Sequence, residues 1–425
     1  VTGSRPTLLY VVHRVPYPPD KGDRIRAYNL LRHLSARADI HLACLADEQV
    51  PDATLAALDR LCSRVAVVPL GRRSRWLWAL RSLASGGCLS EGAFYVPRLV
   101  GVLRNWARDT DYHAALASAS SVAPYLRVGT LAAVPAVVDV VDVDSQKWLD
   151  YAAAGAGPRA WVHRLEGHRL RRRERALAGW ARAVTVVSEH EARLYGGFVP
   201  PDKVHAVPNG VDAEYFVPQD PGEGGCGCVF VGALDYRPNV DAACWFARQV
   251  WPQIHERHPS ARLRLVGRKP VGEVRALGSV PGVDVVGQVP DVRPHVAGAA
   301  VAVAPLRIAR GVQNKVLEAM AMGRVVVASP AALAGLAQHP DLPAVRAETT
   351  DEWVRCVGEL LDDASRRLRL GVAGRQYVLR HHDWGRCLAP FADLLGLGRP
   401  GGTHEAGIRG GTSVRGGRCQ GSAAP

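Results

Sequence analysis

The segment Gly311-Val312-Gln313-Asn314-Lys315-Val316-Leu317-Glu318 gathers residue types suited to holding an anion. It follows a strand-like apolar stretch at 301–305, and Gly311 permits the unusual backbone angles of a tight loop. A helix opening near Gln313 would aim free backbone N–H groups beyond its tip, and such tips favour anions of the diphosphate kind. Lys315 adds a positive charge in the first turn. Glu318 falls one turn in, on the face of Asn314, where a carboxylate can accept ribose hydroxyls. Leu317, Met320 and Met322 read as core. Pattern alone fits an ordinary amphipathic helix equally well.

Other candidates also follow strand-like stretches. Gly232 opens the loop Gly232-Ala233-Leu234-Asp235-Tyr236-Arg237-Pro238-Asn239, where a glycine lets backbone approach a phosphate. Arg237, Arg307 and Arg310 can pair with phosphate oxygens or stand as solvated surface charges. Gly22 lies in the loop after the first strand and offers the same close approach to phosphate or sugar. Asp142-Val143-Asp144 matches a D-x-D pair, but metal binding is not the expectation. In an extended strand the two carboxylates would share one face, orienting an acceptor hydroxyl or capping the next helix. Asn209-Gly210 is a turn signal at a domain junction. Residues 72–81 mix arginine and tryptophan at helical spacing, as a helix lying on an anionic membrane or a packed one would.

These residues need a frame that brings strand ends together. Strands at 8–12, 40–45, 65–69, 114–116, 136–141 and 184–187 alternate with helical stretches. The pattern restarts with strands at 228–231, 262–266, 283–286, 300–304 and 325–328. Two such series predict an α/β protein of two Rossmann-like parallel-sheet domains with a ligand cleft at their carboxyl edges. The expected boundaries are 1–198 for the first domain, 199–225 for a linker and 226–380 for the second. A C-terminal helix at 381–397 and a disordered tail at 398–425, poor in apolar residues, complete the chain.

The chain has 425 residues, of which 48% are apolar, enough for two ordinary cores. Its net charge of +13 admits nucleic acid, an anionic membrane or phosphorylated substrates as partners. No nucleic-acid-binding motif accompanies the basic runs, so nucleic acid is not expected. Nine scattered cysteines lack zinc-type spacing and read as reduced thiols. No apolar run reaches the ~20 residues of a membrane span. The polar N-terminus leads straight into a strand, which predicts a cytoplasmic protein without a leader.

The chain resembles family 4 of the retaining glycosyltransferases, which have the GT-B fold, over about 8–395. The markers are Pro208-Asn209-Gly210-Val211-Asp212, Val266-Gly267-Arg268, Val286-Gly287-Gln288-Val289 and the helix segment Asn314-Lys315-Val316-Leu317-Glu318-Ala319-Met320. It is similar to the subgroup found with PEP-CTERM/exosortase exopolysaccharide loci through Asp142-Val143-Asp144-Ser145-Gln146-Lys147-Trp148, Tyr236-Arg237-Pro238-Asn239 and residues 305–315. The resemblance implies a nucleotide-diphosphate-sugar donor as co-substrate, no cofactor or obligatory metal, and retention at the anomeric carbon. It implies a glycan or polyprenyl-linked acceptor and a final helix crossing back to the first domain. Donor contacts would come from Gly22, Gly232, Gly267, Arg268, Gly287, Val289, Arg310, Gly311, Asn314 and Glu318. Arg237, Arg307 and Lys315 would meet the diphosphate, with Asp142 and Asp144 on the acceptor side. A peripheral contact with the inner face of the plasma membrane is also expected.

Three departures from the family pattern matter. The first glutamate of its E-x7-E motif falls at Arg310, while Glu318 matches the second, ribose-holding one. The family's phosphate-binding Arg and Lys align near Ala233 and Pro238. Its N-terminal cleft histidine has no clear match, since 111–121 offers only His113 and serines. A nucleotide-sugar epimerase and a degenerate donor-binding scaffold are therefore the alternatives.

Overall fold

The computed structural model describes residues 5–19, 22–153, 155–220, 227–309, 311–336 and 340–398. Arg310 and all but the first residue of the predicted tail lie outside the described residues.

The strands are β1 (Thr7–Val12), β2 (Asp39–Ala46), β3 (Arg64–Pro69), β4 (Ala114–Ser118), β5 (Ala136–Val141), β6 (Ala183–Val186), β7 (Val204–Ala206), β8 (Gly227–Val231), β9 (Arg262–Val266), β10 (Val283–Gly287), β11 (Val301–Ala304), β12 (Val325–Ala328) and β13 (Val345–Arg346). They form two all-parallel sheets, ordered β3-β2-β1-β4-β5-β6-β7 and β10-β9-β8-β11-β12-β13. Strands such as Leu8-Leu9-Tyr10-Val11-Val12 are buried on both faces, as parallel strands covered by helices must be. Alternate residues serve opposite cores: Leu9 and Val11 join one cluster, Leu8, Tyr10 and Val12 the other. The second sheet and its helices share a single core.

The strand order reverses between β1 and β4 in the first sheet and between β8 and β11 in the second. At such switch points the following connections diverge to opposite faces and leave a crevice at the carboxyl ends. The two domains meet there.

Two chain crossings form the hinge. Val211 bridges Asp383, its N–H donating to the His382 carbonyl at 2.8 Å. An added Cβ at Gly210 would lie 2.8 Å from the Trp384 backbone, so the Asn-Gly pair serves a close chain crossing as well as a turn. Past the hinge, the helix Trp384–Leu394 buries Leu388 and Phe391 in the first domain's core with Leu8, Tyr10 and Leu30. One reading needs correction. Residues 184–187 do not close the first series, because β7 adds a seventh strand within the stretch 199–225 read as linker. At three residues, β7 is too short for its alternation to stand out from a loop.

Beneath the hinge lies a buried ion pair. Arg26 makes a bidentate 2.8 Å pair with Asp139, which also accepts from the Thr185 hydroxyl at 2.8 Å. The remaining guanidinium nitrogen donates to the Val207 carbonyl at 3.0 Å and to Asn209 Oδ1 at 2.9 Å. Arg26 therefore ties the first domain's sheet to the hinge.

Candidate active site

The carboxyl ends of β8, β9 and β10 are stitched by their glycines. Gly232 N–H donates to the Val266 carbonyl at 3.0 Å, and Gly267 N–H to the Gly287 carbonyl at 2.8 Å. A Cβ on Gly267 would sit 1.7 Å from the Gly232 oxygen, so no larger residue fits this crossing. Gly287 has φ +77, the left-handed region. The half-buried Arg268 accepts the Leu234 N–H at 2.9 Å through its carbonyl, and Val289 packs against the core.

The helix Asn314–Ala321 points its first turn at this edge, starting one residue beyond the predicted Gln313. Lys315 Nζ donates to Asn239 Oδ1 at 2.6 Å and lies 4.5 Å from the Phe230 ring centroid. A Cβ on Gly232 would fall 2.8 Å from the Asn239 amide and 2.9 Å from Lys315 Nζ. The absent side chain leaves room for the Asn239–Lys315 pair. Burial pushes Lys315 down to about 7, against the opposing pull of Glu318. Glu318 shares its face and is pushed up to about 7 by burial beside Val229, Val231 and Ala302. Both side chains stay partly exposed, so neither belongs to the core.

The other cations differ. Arg237 is exposed in the first turn of the helix Arg237–Trp245 and has no ion-pair partner among the described residues. Arg307 is already held by Asp241, its Nε at 3.0 Å, and rests over Trp245. It would have to exchange that carboxylate for a phosphate. Asn314 turns its amide oxygen to the hinge, accepting from Asn209 at 3.4 Å. Gly22 opens the helix Gly22–Ser35, and a Cβ there would meet open space.

The facing domain supplies the Asp142–Asp144 turn. These residues do not share a strand face as an extended pair would. Val141 takes φ +70, ends β5 and turns the chain into the helix Asp144–Ala153. Asp142 instead faces Gly311, whose φ is +62 and whose Cβ, if present, would stand 3.0 Å from the carboxylate. Gly311 thus lets this loop approach the other domain. Asp144 accepts the Ser120 hydroxyl at 2.7 Å, and burial raises its carboxyl. Two buried glutamates brace the turn. Glu191 accepts Val143 N–H at 2.7 Å, and Glu174 accepts Ser145 N–H at 3.0 Å and is pushed up to about 7 by burial. Among the described residues no cluster of three or more metal-ligating side chains forms.

His113 is excluded as the cleft histidine. It precedes β4, at the amino edge, where its ring meets the Gly396 carbonyl at 3.2 Å. His13, directly after β1, occupies the cleft edge instead. Its Nδ1 lies 3.3 Å from the Ser118 carbonyl and its Nε2 3.3 Å from Asp23. Burial alone would raise Asp23, but His13 and Arg14 hold it well below the usual carboxylate range. A histidine one residue past the first strand was the signal available for it.

Comparisons match this geometry. A model for the glycosyl transferase 4-like domain matches residues 22–210, and one for glycosyl transferases group 1 matches 225–363. The chain carries the two domains of a GT-B glycosyltransferase. No curated protein matches it in sequence. Among solved structures it is similar to Anabaena HepE in complex with UDP, at 13% identity, TM-score 0.66, covering 92% of this chain and 99% of that one. Sucrose-phosphate synthase from Thermosynechococcus elongatus gives 18% identity and TM-score 0.67 over 92% and 98%. WaaG, a glycosyltransferase involved in lipopolysaccharide biosynthesis, gives 13% and 0.62 over 92% and 100%. At these identities the structures speak for the fold.

Proposed function

We propose that this GT-B protein moves a sugar from a nucleotide-diphosphate donor to a lipid-linked exopolysaccharide precursor, with retention of anomeric configuration. The observation that carries the reading is the cradle of Gly232, Asn239 and Lys315 at the tip of the helix Asn314–Ala321. A desolvated ammonium beside a helix N-terminus suits a departing diphosphate, whose charge grows in the transition state. Similar folds have been crystallised with UDP and UDP-glucose, which supports a nucleotide-sugar here. Lys315 and Arg237 would meet the phosphates, Arg307 would join after leaving Asp241, and Glu318 would accept the ribose hydroxyls. His13 would face the donor sugar from the first domain.

In the reaction the acceptor oxygen bonds the anomeric carbon on the face from which the phosphate oxygen departs. The acceptor proton passes to that phosphate oxygen. Fixed positive groups offset the leaving charge, so the reading requires no metal, and turnover should persist in EDTA. Asp142 and Asp144 would orient the acceptor.

Among the described residues no helix is long and apolar enough to cross a membrane. The helix Arg72–Ala84 supports a peripheral contact, since it exposes Trp76 and Leu77, each at 69%, beside Arg73 and Arg81. The seven described cysteines are all free thiols, which supports work at the inner, reducing face.

The test is a thermal-shift screen of UDP-, GDP- and ADP-sugars, followed by nucleoside-diphosphate release with and without lipid acceptor. A ligand that binds only the folded protein raises Tm. Binding without acceptor-dependent release would make the protein a scaffold, and an unchanged shift in Glu318→Ala would end the ribose assignment.

A further inference from the structure

We infer that the aromatic cavity of the first domain takes the apolar chain of a phosphate-headed amphiphile, with Arg81 at its mouth. The cavity, of about 270 Å³, lies between the helix Arg72–Ala84, Tyr95 and the segment Ser120–Arg127, and Trp78, Tyr95, Pro124 and Tyr125 line it. The inference rests on the lipid-linked acceptor proposed above and gives it a site.

Four observations converge. The walls are ring faces: Trp78 meets Tyr95 edge-on at 4.8 Å, and Tyr95 and Tyr125 lie nearly parallel at 6.4 Å. The Tyr125 hydroxyl is turned away, donating to the Phe94 carbonyl at 2.8 Å and accepting Val96 N–H at 2.6 Å, so the cavity receives its apolar face. Charge at the mouth favours an anion. Arg81 is exposed, lies over Trp78 at 5.7 Å and has no ion-pair partner among the described residues. The one lining carboxylate, Glu91, is 3.2 Å from Arg173, which offsets its charge.

Toward the cleft, Ser121 lines the cavity while its neighbour Ser120 holds Asp144. Phe94, next to Tyr95, abuts the His13 ring at 5.8 Å. Away from the cleft, the same helix exposes Trp76, Leu77 and Leu80. An amphiphile leaving a bilayer along this ridge would lodge its first chain segment among the rings. Its phosphate would reach Arg81.

The experiment titrates farnesyl phosphate into the full chain, below its aggregation concentration, with tryptophan fluorescence and calorimetry as readouts. Farnesol, inorganic phosphate and methyl glucoside are the comparators. The wild type should bind farnesyl phosphate at least about tenfold more tightly than each comparator. Trp78→Ala and Arg81→Gln should each weaken it about tenfold with the nucleotide-sugar thermal shift unchanged. Arg81 is exposed, so its variant keeps the test open if Trp78→Ala does not fold. Absence of binding, equal binding by both variants, or preference for the glucoside would overturn the inference. Farnesyl phosphate binding without any nucleotide-sugar shift would instead sink the transferase reading and leave the cavity assignment standing.

Discussion

Binding of a nucleoside diphosphate should draw a proton onto Lys315. Burial leaves its amine at about 7, with Asn239, Phe230 and Glu318 as its facing groups. At that value about half the molecules carry the charge at pH 7, about a tenth at pH 8 and about a hundredth at pH 9. A diphosphate beside the amine favours the charged form and raises its pKa toward the free-lysine range. Affinity should therefore fall steeply above pH 8, by up to about tenfold per pH unit, with net uptake of protons on binding. Working above pH 7.5 keeps the phosphates themselves fully ionised. Calorimetry of UDP or GDP, whichever binds, in buffers of different ionisation enthalpy measures the uptake directly. Lys315→Arg should bind with no such slope, because its charge does not titrate. Lys315→Met should lose both slope and affinity. Glu318, also near 7, titrates in the same window, so Glu318→Gln serves as the control and should retain most of the uptake. Zero uptake in the wild type, or undiminished uptake in Lys315→Met, would refute the argument.

Gly232→Ala should push aside both Asn239, a buried hydrogen-bonded amide, and Lys315, lowering nucleotide affinity about tenfold and stability by about 1–3 kcal/mol, as titration and melting curves would show. Gly267→Ala drives a Cβ into the Gly232 carbonyl and should cost about 3 kcal/mol or more in urea unfolding. Arg26→Met strands the buried Asp139 carboxylate and should cost about 3–5 kcal/mol, with much of the loss recovered in Arg26→Met/Asp139→Asn. His13→Asn should lower kcat on the order of tenfold to hundredfold with donor binding intact, and an unchanged kcat would remove His13 from the site.

Much of the frame was legible because its determinants are local. Apolar runs such as 8–12 and 325–328, separated by helical spacing, already specify parallel βα units. Glycines placed just past strands mark the carboxyl edge of the second sheet, and the helix tip near Asn314 follows from the loop at Gly311. The mix of arginine and tryptophan at 72–81 left an exposed and a packed helix open, and the structure exposes Trp76 while packing Trp78 against Tyr95.

Contacts between residues far apart in the chain settled the rest. Lys315 becomes a half-buried, weakly basic amine beside Asn239 and Phe230, which come from other elements. The spacing of Asp142 and Asp144 looked like one strand face, but a left-handed Val141 separates them, leaving Asp142 beside Gly311 and Asp144 accepting from Ser120. Arg26, an ordinary helical arginine by sequence, pairs with Asp139 and Asn209 beneath the hinge. The cleft histidine had no clear match in the sequence; the fold puts His13, just past β1, at the cleft edge and His113, just before β4, at the opposite edge. Local patterning encodes which elements form, since propensity and periodicity act over a few residues. Burial and the charge state of a side chain depend on what packs over it, and only the assembled domains decide that.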